Sequence, residues 1–277
     1  MSPASIIVSG ANISGARRVI SGWAPINKAG GGLEPTACFV NRRPLGGGCI
    51  SPRYVCKVRD RGVFMDYIIM LLPSMLKGLT VTLKLFSITL VMALPLGVIM
   101  GMARISSFNP LRWFMEFYVW LFRGTPLLLQ LLFMYFGLMT VGLRLEREMA
   151  AYLAFVLNYS AYLAEIFRAG IQSIDRGQYE AADVLGLSRY QTMKNIILPQ
   201  VFKRVLPPIG NEVINLVKDT ALVYVLAISE LSRVARTHVM RDDTFIPFLI
   251  AAIFYLMMTG MVQRFFKWLE LRYDYFH

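Results

Sequence analysis

Long apolar runs, separated by shorter polar stretches, dominate this chain from about residue 79 onward. Five of them are long enough to cross a membrane, near residues 79–103, 119–142, 149–170, 207–229 and 245–266. A helix needs about 20 mostly apolar residues to cross the hydrocarbon core. The runs are continuous rather than alternating, and backbone groups inside lipid must satisfy one another. The pattern therefore predicts an all-α integral membrane protein with about five transmembrane helices.

The stretch before the first run has its own pattern. Residues 66–77 predict a short amphipathic helix at the membrane surface. Pro73 and Gly78 are expected to break this helix and to turn the chain into the membrane. Pro95 and Gly97 predict a kink in the lower half of the first transmembrane helix.

One ordered polar segment, residues 172–200, separates the third and fourth runs. Asp175 with Gln178, and Ser188 with Gln191, have the spacing of a capping box at a helix start. Gly186 suits the left-handed residue that follows a helix end. The segment therefore predicts a helix, a glycine hinge and a second helix that ends before the proline at 199. So much ordered sequence in one loop is expected to bind a partner.

Basic residues predict the orientation of the chain. The loops on the side of this polar segment, together with the C-terminal tail, carry more Lys and Arg than the opposite loops. Because Lys and Arg are enriched in cytoplasmic loops, the polar segment and the C-terminus are expected to be cytoplasmic. The chain before the first run is expected to lie outside.

A sequence motif in the polar segment resembles a known family. The pattern E-A-A-x3-G-x9-I-x-L-P resembles the signature loop of binding-protein-dependent ABC transporter permeases, with the resemblance covering residues 65–277. The fixed positions of the pattern are Glu180, Ala181, Ala182, Gly186, Ile196, Leu198 and Pro199. Two further stretches, R-G-T-P-L-x2-Q ending in Gln130 and L-P-P-I-G-N-E with K-D-T-A-L-V, are similar to the polar amino acid branch of that family.

The resemblance implies a function and a set of partners. It implies a permease subunit, in the bacterial inner membrane, that forms the translocation pathway of an importer for polar amino acids. A separate cytoplasmic ATPase, which binds ATP and Mg, would dock on the motif residues. An extracytoplasmic solute-binding protein and a second permease copy, identical or a sister subunit, would complete the complex.

Polar residues inside the apolar runs are the candidates for the substrate pathway, since a charge at mid-bilayer costs about 2.5–3.5 kcal/mol on insertion scales. Asn158 and Glu165 share one helical face, although Glu165 has the alternative of simply pairing with Arg168. Neighbouring charges at 218 and 219 point about 100° apart on a helix. The candidates are Arg123, Gln130, Asn158, Ser160, Glu165, Lys218 and Asp219.

Residues 1–64 differ from the rest in composition. They hold nine Lys or Arg against only Glu34 and Asp60, and they contain all three cysteines of the chain. This composition is too polar for a core and predicts disorder. Two interpretations stay open: a basic regulatory or lipid-binding arm, or a mis-assigned extension upstream of a true start at Met65. The membrane domain is expected to be residues 65–277.

Missing motifs narrow the function. The chain is 56% hydrophobic, which excludes an ordinary soluble domain, and it has no G-x4-G-K-[ST] motif for ATP. Its two histidines offer no basis for a metal site or a Ser–His hydrolase. We expect no enzyme activity, no metal, no cofactor held by this chain and no nucleic-acid partner. The alternatives are an ATPase-independent secondary transporter or channel for small polar solutes, and a non-transporting scaffold.

Overall fold

The structure is a computed structural model that describes residues 38–41, 53–56 and 61–273. Two short strands, β1 (Cys38–Asn41) and β2 (Arg53–Cys56), pair antiparallel with Cys38 opposite Cys56. These strands are the exception to the all-α prediction among the described residues. Apart from these two strands, residues 1–60 of the region predicted to be disordered lie outside the described residues. The chain divides between Ile69 and Met70 into two compact units, and the site lies in the second.

The remainder of the described chain is helical. The helices run in the order α1 (Arg61–Arg104), α2 (Asn109–Gly124), α3 (Leu127–Leu132), a π turn (Phe133–Gly137), α4 (Leu138–Thr140), α5 (Arg147–Gln172), α6 (Arg176–Val184), α7 (Arg189–Thr192), a second π turn (Met193–Ile197), α8 (Leu198–Asp219), a 3-10 helix (Thr220–Leu226), α9 (Leu231–Asp242) and α10 (Ile246–Arg272).

Three helices in the described residues are long and apolar enough to cross a membrane, namely Met65–Arg104, Arg147–Gln172 and Ile246–Arg272. The pair Asn109–Gly124 and Leu127–Thr140 makes a fourth crossing if this pair, bent by 103°, is one broken span. The remaining predicted span, 207–229, is α8 followed by the 3-10 helix, an amphipathic stretch with several charges. The count of five spans therefore stays a prediction.

The prediction that Pro73 and Gly78 break the first helix is wrong, because α1 runs through both positions. Gly78 instead marks a close approach to α9: a Cβ atom there would lie 3.0 Å from Leu231 Cα. Thr82 binds the Gly78 carbonyl on one side and accepts from the Leu231 N–H on the other. Contact with a neighbouring helix, which is not visible in local sequence, keeps the helix intact here.

Helix α5 lies at the centre of the bundle. In its apolar window 61% is buried, against 28% for α1 and 17% for α10. Small residues permit this packing: a Cβ at Gly97 of α1 would lie 2.4 Å from Leu163 Cβ, and one at Gly170 would lie 2.3 Å from Val205 Cγ1 of α8. Small residues let transmembrane helices approach closely. Gly97 is thus a site of close contact between α1 and α5, and the kink expected there stays a prediction.

Candidate functional site

A sharp break separates α2 from α3, and it builds one wall of the site. Thr125 is extended (φ −116°, ψ 143°), as expected for a residue that precedes a proline, and α3 begins after Pro126. The buried Gln130 side chain holds the break in place. Its Nε2 donates to the Phe122 carbonyl at 2.9 Å, and to the carbonyl and hydroxyl oxygens of Thr125 at 3.1 and 2.8 Å.

Asn158 connects this break to the central helix. Its Nδ2 donates to Gln130 Oε1 at 3.0 Å and to the Phe122 carbonyl at 3.1 Å. Asn158 is only 4% exposed. A buried amide needs such partners, because an unpaired one costs about 1–3 kcal/mol. Two residues singled out from the sequence as pathway candidates, Asn158 and Gln130, are therefore bonded to each other at the break.

The break, the middle of α5 and the end of α8 enclose a polar cavity of about 610 Å³. Arg123 lies over the ring of Tyr162, with 5.3 Å from the guanidinium carbon to the ring centroid. On the facing side, the Tyr159 hydroxyl donates to Asp219 Oδ2 at 2.8 Å. The cavity is lined by Arg123, Gly124, Thr125, Pro126, Leu127, Leu128, Asn158, Tyr159, Tyr162, Glu212, Asn215, Asp219 and Leu222.

The charges of this cavity define what it can bind. Arg123 supplies one cation, and Glu212 and Asp219 supply two carboxylates. Guanidinium groups bind carboxylates, and carboxylates accept from ammonium groups. The cavity therefore offers partners for both ends of a zwitterion, and one acidic group in addition.

Glu165 lies one helical turn from this cavity, within an arginine cluster. Arg168 donates to it from Nε at 3.1 Å and from Nη2 at 2.5 Å, which agrees with the simple pairing considered as an alternative. Arg104 from α1 also binds Glu165, and Arg123 Nη1 lies 3.8 Å from Glu165 Oε2. Glu165 also lines a second cavity, of about 430 Å³, with Arg204 and Pro208 of α8.

The two remaining pathway candidates lie elsewhere. Ser160 is buried on another face of α5, where its hydroxyl lies 3.0 Å from the Tyr118 hydroxyl of α2. Lys218 is exposed on α8 and does not line the cavity in the part of the chain that the structure describes. The 100° between adjacent helical residues places Asp219 in the cavity and Lys218 outside it.

Three residues of the site were not singled out from the sequence: Tyr159, Glu212 and Arg104. Glu212 stands seven residues before Asp219, so its position on the same helical face was a usable signal. Arg104 follows Gly97 and Gly101 on α1, a small-residue pattern that indicates close helix packing. Nothing in the local sequence distinguished Tyr159 from the other aromatic residues of the span.

The polar segment 172–200 is a second candidate site. The Asp175 carboxylate accepts from the Gly177 N–H and caps α6. Gln178, the predicted partner in that cap, instead accepts at Oε1 from Gln200 of α8 at 3.1 Å. The prediction of a capping box at Asp175 is therefore wrong, although Asp175 does cap the helix. At Ser188 the capping box is confirmed, with both Ser188 and Gln191 engaged. Gly186, at φ +71°, lies between the two helices.

The second helix of the segment does not end before Pro199, as the sequence suggested. Helix α7 passes through the π turn Met193–Ile197 directly into α8, with Pro199 in the first turn of α8. Pro199 has no N–H to donate to the preceding turn, and it closely follows the π turn, where the regular hydrogen-bond ladder of the helix is already interrupted. The segment is therefore joined without a loop to the helix that carries Asp219 and Glu212.

The surface of the segment combines exposed apolar and polar residues. Val184, Leu185 and Tyr190 are 88%, 74% and 72% exposed. Of the motif residues, Glu180, Ala181, Gly186, Leu198 and Pro199 are exposed and Ile196 is half-buried, whereas Ala182 is fully buried. Ala182 thus packs inside its own chain, and only Ala181 presents a small side chain outward. Exposed contiguous apolar residues usually mark a binding surface.

Apolar helices around a polar cavity, with an exposed apolar surface on an ordered polar segment, define an integral membrane transport subunit. The chain belongs to the family described as binding-protein-dependent transport system inner membrane component, whose model matches residues 93–275. Permeases of this family are membrane subunits of ABC importers without an ATP site of their own, and they work with a separate ATPase and a solute-binding protein.

Individual relatives agree with this assignment. The chain is 44% identical over 163 residues to the arginine transport system permease protein ArtQ of Bacillus subtilis, covering 58% of this chain and 74% of that protein. It is 36% identical over 212 residues to the putative glutamine transport system permease protein GlnP of Rickettsia conorii, covering 74% and 96%. Identity to the glutamate/aspartate import permease protein GltK of Escherichia coli is 41% over 191 residues, covering 66% and 85%.

Solved structures share the fold. The crystal structure of an amino acid ABC transporter with histidines matches with a TM-score of 0.70 and 35% identity, covering 78% of this chain and 100% of that chain. An inward-facing structure of the MetNI methionine ABC transporter matches with a TM-score of 0.59 at 16% identity, covering 75% and 98%, which concerns the fold alone.

Proposed function

We propose that this chain forms the translocation pathway for polar amino acids in an ATP-driven importer of the inner membrane. The observation that carries the proposal is the polar cavity, which is lined by Arg123 at the end of α2 and by Glu212 and Asp219 on α8. These charges match the carboxylate and ammonium groups that every amino acid carries. The relatives named for arginine, glutamine and glutamate/aspartate transport support the same substrate class.

Among amino acids, the cavity favours one with a cationic side chain. Arg123 would bind the α-carboxylate, leaving two carboxylates for the α-ammonium and for one further positive group. Burying a charge is unfavourable unless it is paired, and a cationic amino acid pairs all three cavity charges. The arginine permease among the relatives is in line with this preference.

The polar segment serves as the docking site of the ATPase. Its exposed apolar residues Val184, Leu185 and Tyr190 surround the hinge at Gly186. The ATPase holds ATP and Mg and moves the segment when it closes on nucleotide. Because α7 continues into α8 without a loop, that movement reaches Asp219 and Glu212 along one continuous helical stretch. The docking residues are Glu180, Ala181, Gly186, Ile196, Leu198 and Pro199, with the buried Ala182 supporting them.

A second permease copy covers the polar face of α8. Asn211 and Lys218 share one side of this helix, outside the cavity, and are exposed in the single chain. Lys218 lies in the last turn of α8 and at the middle of the predicted span 207–229, where a lysine that faces lipid would cost about 2.5–3.5 kcal/mol. A second copy, identical or a sister subunit, removes that cost by facing the same polar side.

The orientation follows from the basic loops. The docking segment and the C-terminus face the cytoplasm, where the ATPase is, and the chain before the first span lies outside. The extracytoplasmic binding protein then delivers its amino acid to the opposite face of the bundle. This orientation agrees with the enrichment of Lys and Arg in cytoplasmic loops.

The test is uptake by the complete transporter, reconstituted in vesicles with its ATPase and binding protein. Labelled arginine, glutamine and glutamate are offered separately to the wild type and to Asp219→Asn. We expect Asp219→Asn to lower arginine uptake severalfold more than glutamine uptake. Glu148→Gln is the matched control, because Glu148 pairs with Lys84 away from the cavity. Unchanged arginine uptake in Asp219→Asn would contradict the assignment of the cavity.

A further inference from the structure

The two cavities lie in line along a single groove between α5 and α8. On α5, Asn158 and Tyr162 line the larger cavity, whereas Glu165, Ala169 and Ser173 line the smaller one. On α8 the larger cavity is lined by Glu212, Asn215 and Asp219, and the smaller one by Arg204 and Pro208. Steps of three or four residues keep side chains on one helical face. The smaller cavity is therefore the continuation of the groove toward the polar segment 172–200.

One pair of charged side chains stands where the two cavities meet. Arg123 lines the larger cavity, Glu165 lines the smaller one, and Arg123 Nη1 lies 3.8 Å from Glu165 Oε2. The two members are held differently. Glu165 is anchored by Arg104 and Arg168, whereas Arg123 is 41% exposed and its other described contact is the face of Tyr162.

We propose that Arg123 and Glu165 form a gate that closes the groove between the two cavities. The proposal rests on the function proposed above, in which the larger cavity holds an amino acid. With the cavity empty, Arg123 leans toward Glu165 and blocks the way to the smaller cavity. When an amino acid enters, its carboxylate competes with Glu165 for the same guanidinium, and the gate loosens only while substrate is present.

The geometry suits a pair that opens readily. At 3.8 Å the two groups are at the limit of an ion pair, and Arg123 is partly solvated, so the attraction is weak. Arg123 also stands at the end of α2, next to the break that Gln130 and Asn158 hold. A change in the angle of this break would move the guanidinium toward either cavity.

A purely structural role for the cluster makes a different prediction. Glu165 also joins α1 to α5 through Arg104, and it bonds Arg168 on its own helix. Neither arginine lines one of the two cavities. If Glu165 only stabilises the bundle, loss of Arg168 should have the same kind of effect as loss of the Glu165 charge. If it gates, only the Glu165 change should open the groove.

The experiment measures access to the larger cavity from the side of the polar segment. In the complete transporter, Cys38, Cys49 and Cys56 are replaced by serine and Leu222, which lines the larger cavity, by cysteine. A membrane-impermeant maleimide is added to vesicles whose polar segment faces outward, without nucleotide or substrate. We expect Glu165→Gln to accelerate labelling at position 222 by up to about fivefold, the factor that one weak ion pair represents.

Two controls make the result decisive. Arg168→Gln should leave the labelling rate at position 222 unchanged, and Ala169→Cys, in the smaller cavity, should be labelled equally fast with either Glu165 or glutamine. The proposal is overturned if Glu165→Gln does not accelerate labelling, or if Arg168→Gln accelerates it as much. If Glu165→Gln does not assemble, Glu165→Asp replaces it, and an unchanged rate in that variant overturns the gate equally.

The labelling result is independent of the proposed substrate. Reagent access needs no transport, so the two experiments can disagree. If Glu165→Gln accelerates labelling while Asp219→Asn leaves arginine uptake unchanged, the gate is retained and the cavity is rejected as the arginine site. If labelling is unchanged while Asp219→Asn selectively lowers arginine uptake, the cavity is retained as the arginine site and the gate is rejected.

Discussion

Asn158 on α5 donates a hydrogen bond to Gln130 on α3 across 3.0 Å, and both side chains are buried. This bond connects the centre of the bundle to the break after Gly124. The break positions Arg123 in the wall of the larger cavity, so a bond between two uncharged side chains controls where the only described cation lining that cavity stands.

Replacing Asn158 with leucine tests this dependence. Gln130 Oε1 would lose its donor, and a buried unpaired acceptor costs about 1–3 kcal/mol. We expect a lower unfolding temperature and a severalfold fall in amino acid uptake by the reconstituted complex. Ser160→Ala, which changes a polar residue of the same helix bonded to Tyr118, should retain most of the uptake. Equal losses in both variants would show that any polar change in α5 has this effect.

The bond from Tyr159 to Asp219 gives a second prediction. A hydrogen bond to a charged group is worth about 1.5–3 kcal/mol, so Tyr159→Phe should raise the KM for a cationic amino acid roughly tenfold while kcat changes little. The control is Tyr152→Phe, which also removes a hydroxyl that α5 offers to a carboxylate, here Glu148 at 3.2 Å. A fall in kcat at constant KM would instead assign Tyr159 to the conformational change.

These residues illustrate what the sequence alone could predict. The left-handed Gly186 and the capping box at Ser188 follow from local backbone chemistry and are confirmed. Asn158 and Gln130 could both be singled out as polar residues inside apolar runs. Their pairing could not be predicted, because the contact joins residues 28 positions apart.

The incorrect predictions have two origins. Pro73 and Gly78 look like helix breakers locally, yet α1 runs through both, and Gly78 makes a close contact with α9 that local sequence does not show. Pro199 looks like a helix end, yet it follows a π turn and falls in the first turn of α8, which is a local feature. Tyr159 was missed because the cavity exists only when α5, α8 and the break come together.

Removal of residues 2–64 gives a third prediction. The family model begins at residue 93, and the cavity and polar segment both lie beyond Met70. We therefore expect a chain with the initiator methionine joined to residue 65 to insert, to assemble with the ATPase and to transport at the wild-type rate. Transport should be compared in vesicles with and without anionic lipid. If residues 2–64 form a basic arm that binds lipid, their removal would lower transport only in the vesicles with anionic lipid.

Glu230 gives a fourth prediction, for stability. Its carboxylate is fully buried, caps α9 by accepting from Ser232 and Arg233 N–H at 2.7 Å, and also accepts from the Tyr255 hydroxyl at 3.0 Å. Glu230→Gln would turn an amide NH2 toward these donors, and each group left unpaired costs about 1–3 kcal/mol. We expect a lower unfolding temperature than in Tyr255→Phe, which removes one donor only. If Tyr255→Phe has the lower unfolding temperature instead, the Tyr255 hydroxyl contributes more to stability than the Glu230 carboxylate.

Gly186 allows the coupling mechanism to be tested without a steric clash. Its φ of +71° is left-handed, and apart from its chain neighbours no heavy atom lies within 4 Å of a Cβ placed there, so a substitution acts mainly through the backbone within this chain. Valine resists this conformation, at about 1–2 kcal/mol, whereas asparagine adopts it more readily. We expect Gly186→Val to insert normally but to transport severalfold less amino acid per ATP hydrolysed, and Gly186→Asn to stay near the wild-type ratio. If both variants keep that ratio, the left-handed hinge does not transmit ATPase closure to α8. If both lose it equally, the ATPase requires the absence of any side chain at position 186, and the glycine is a contact rather than a hinge.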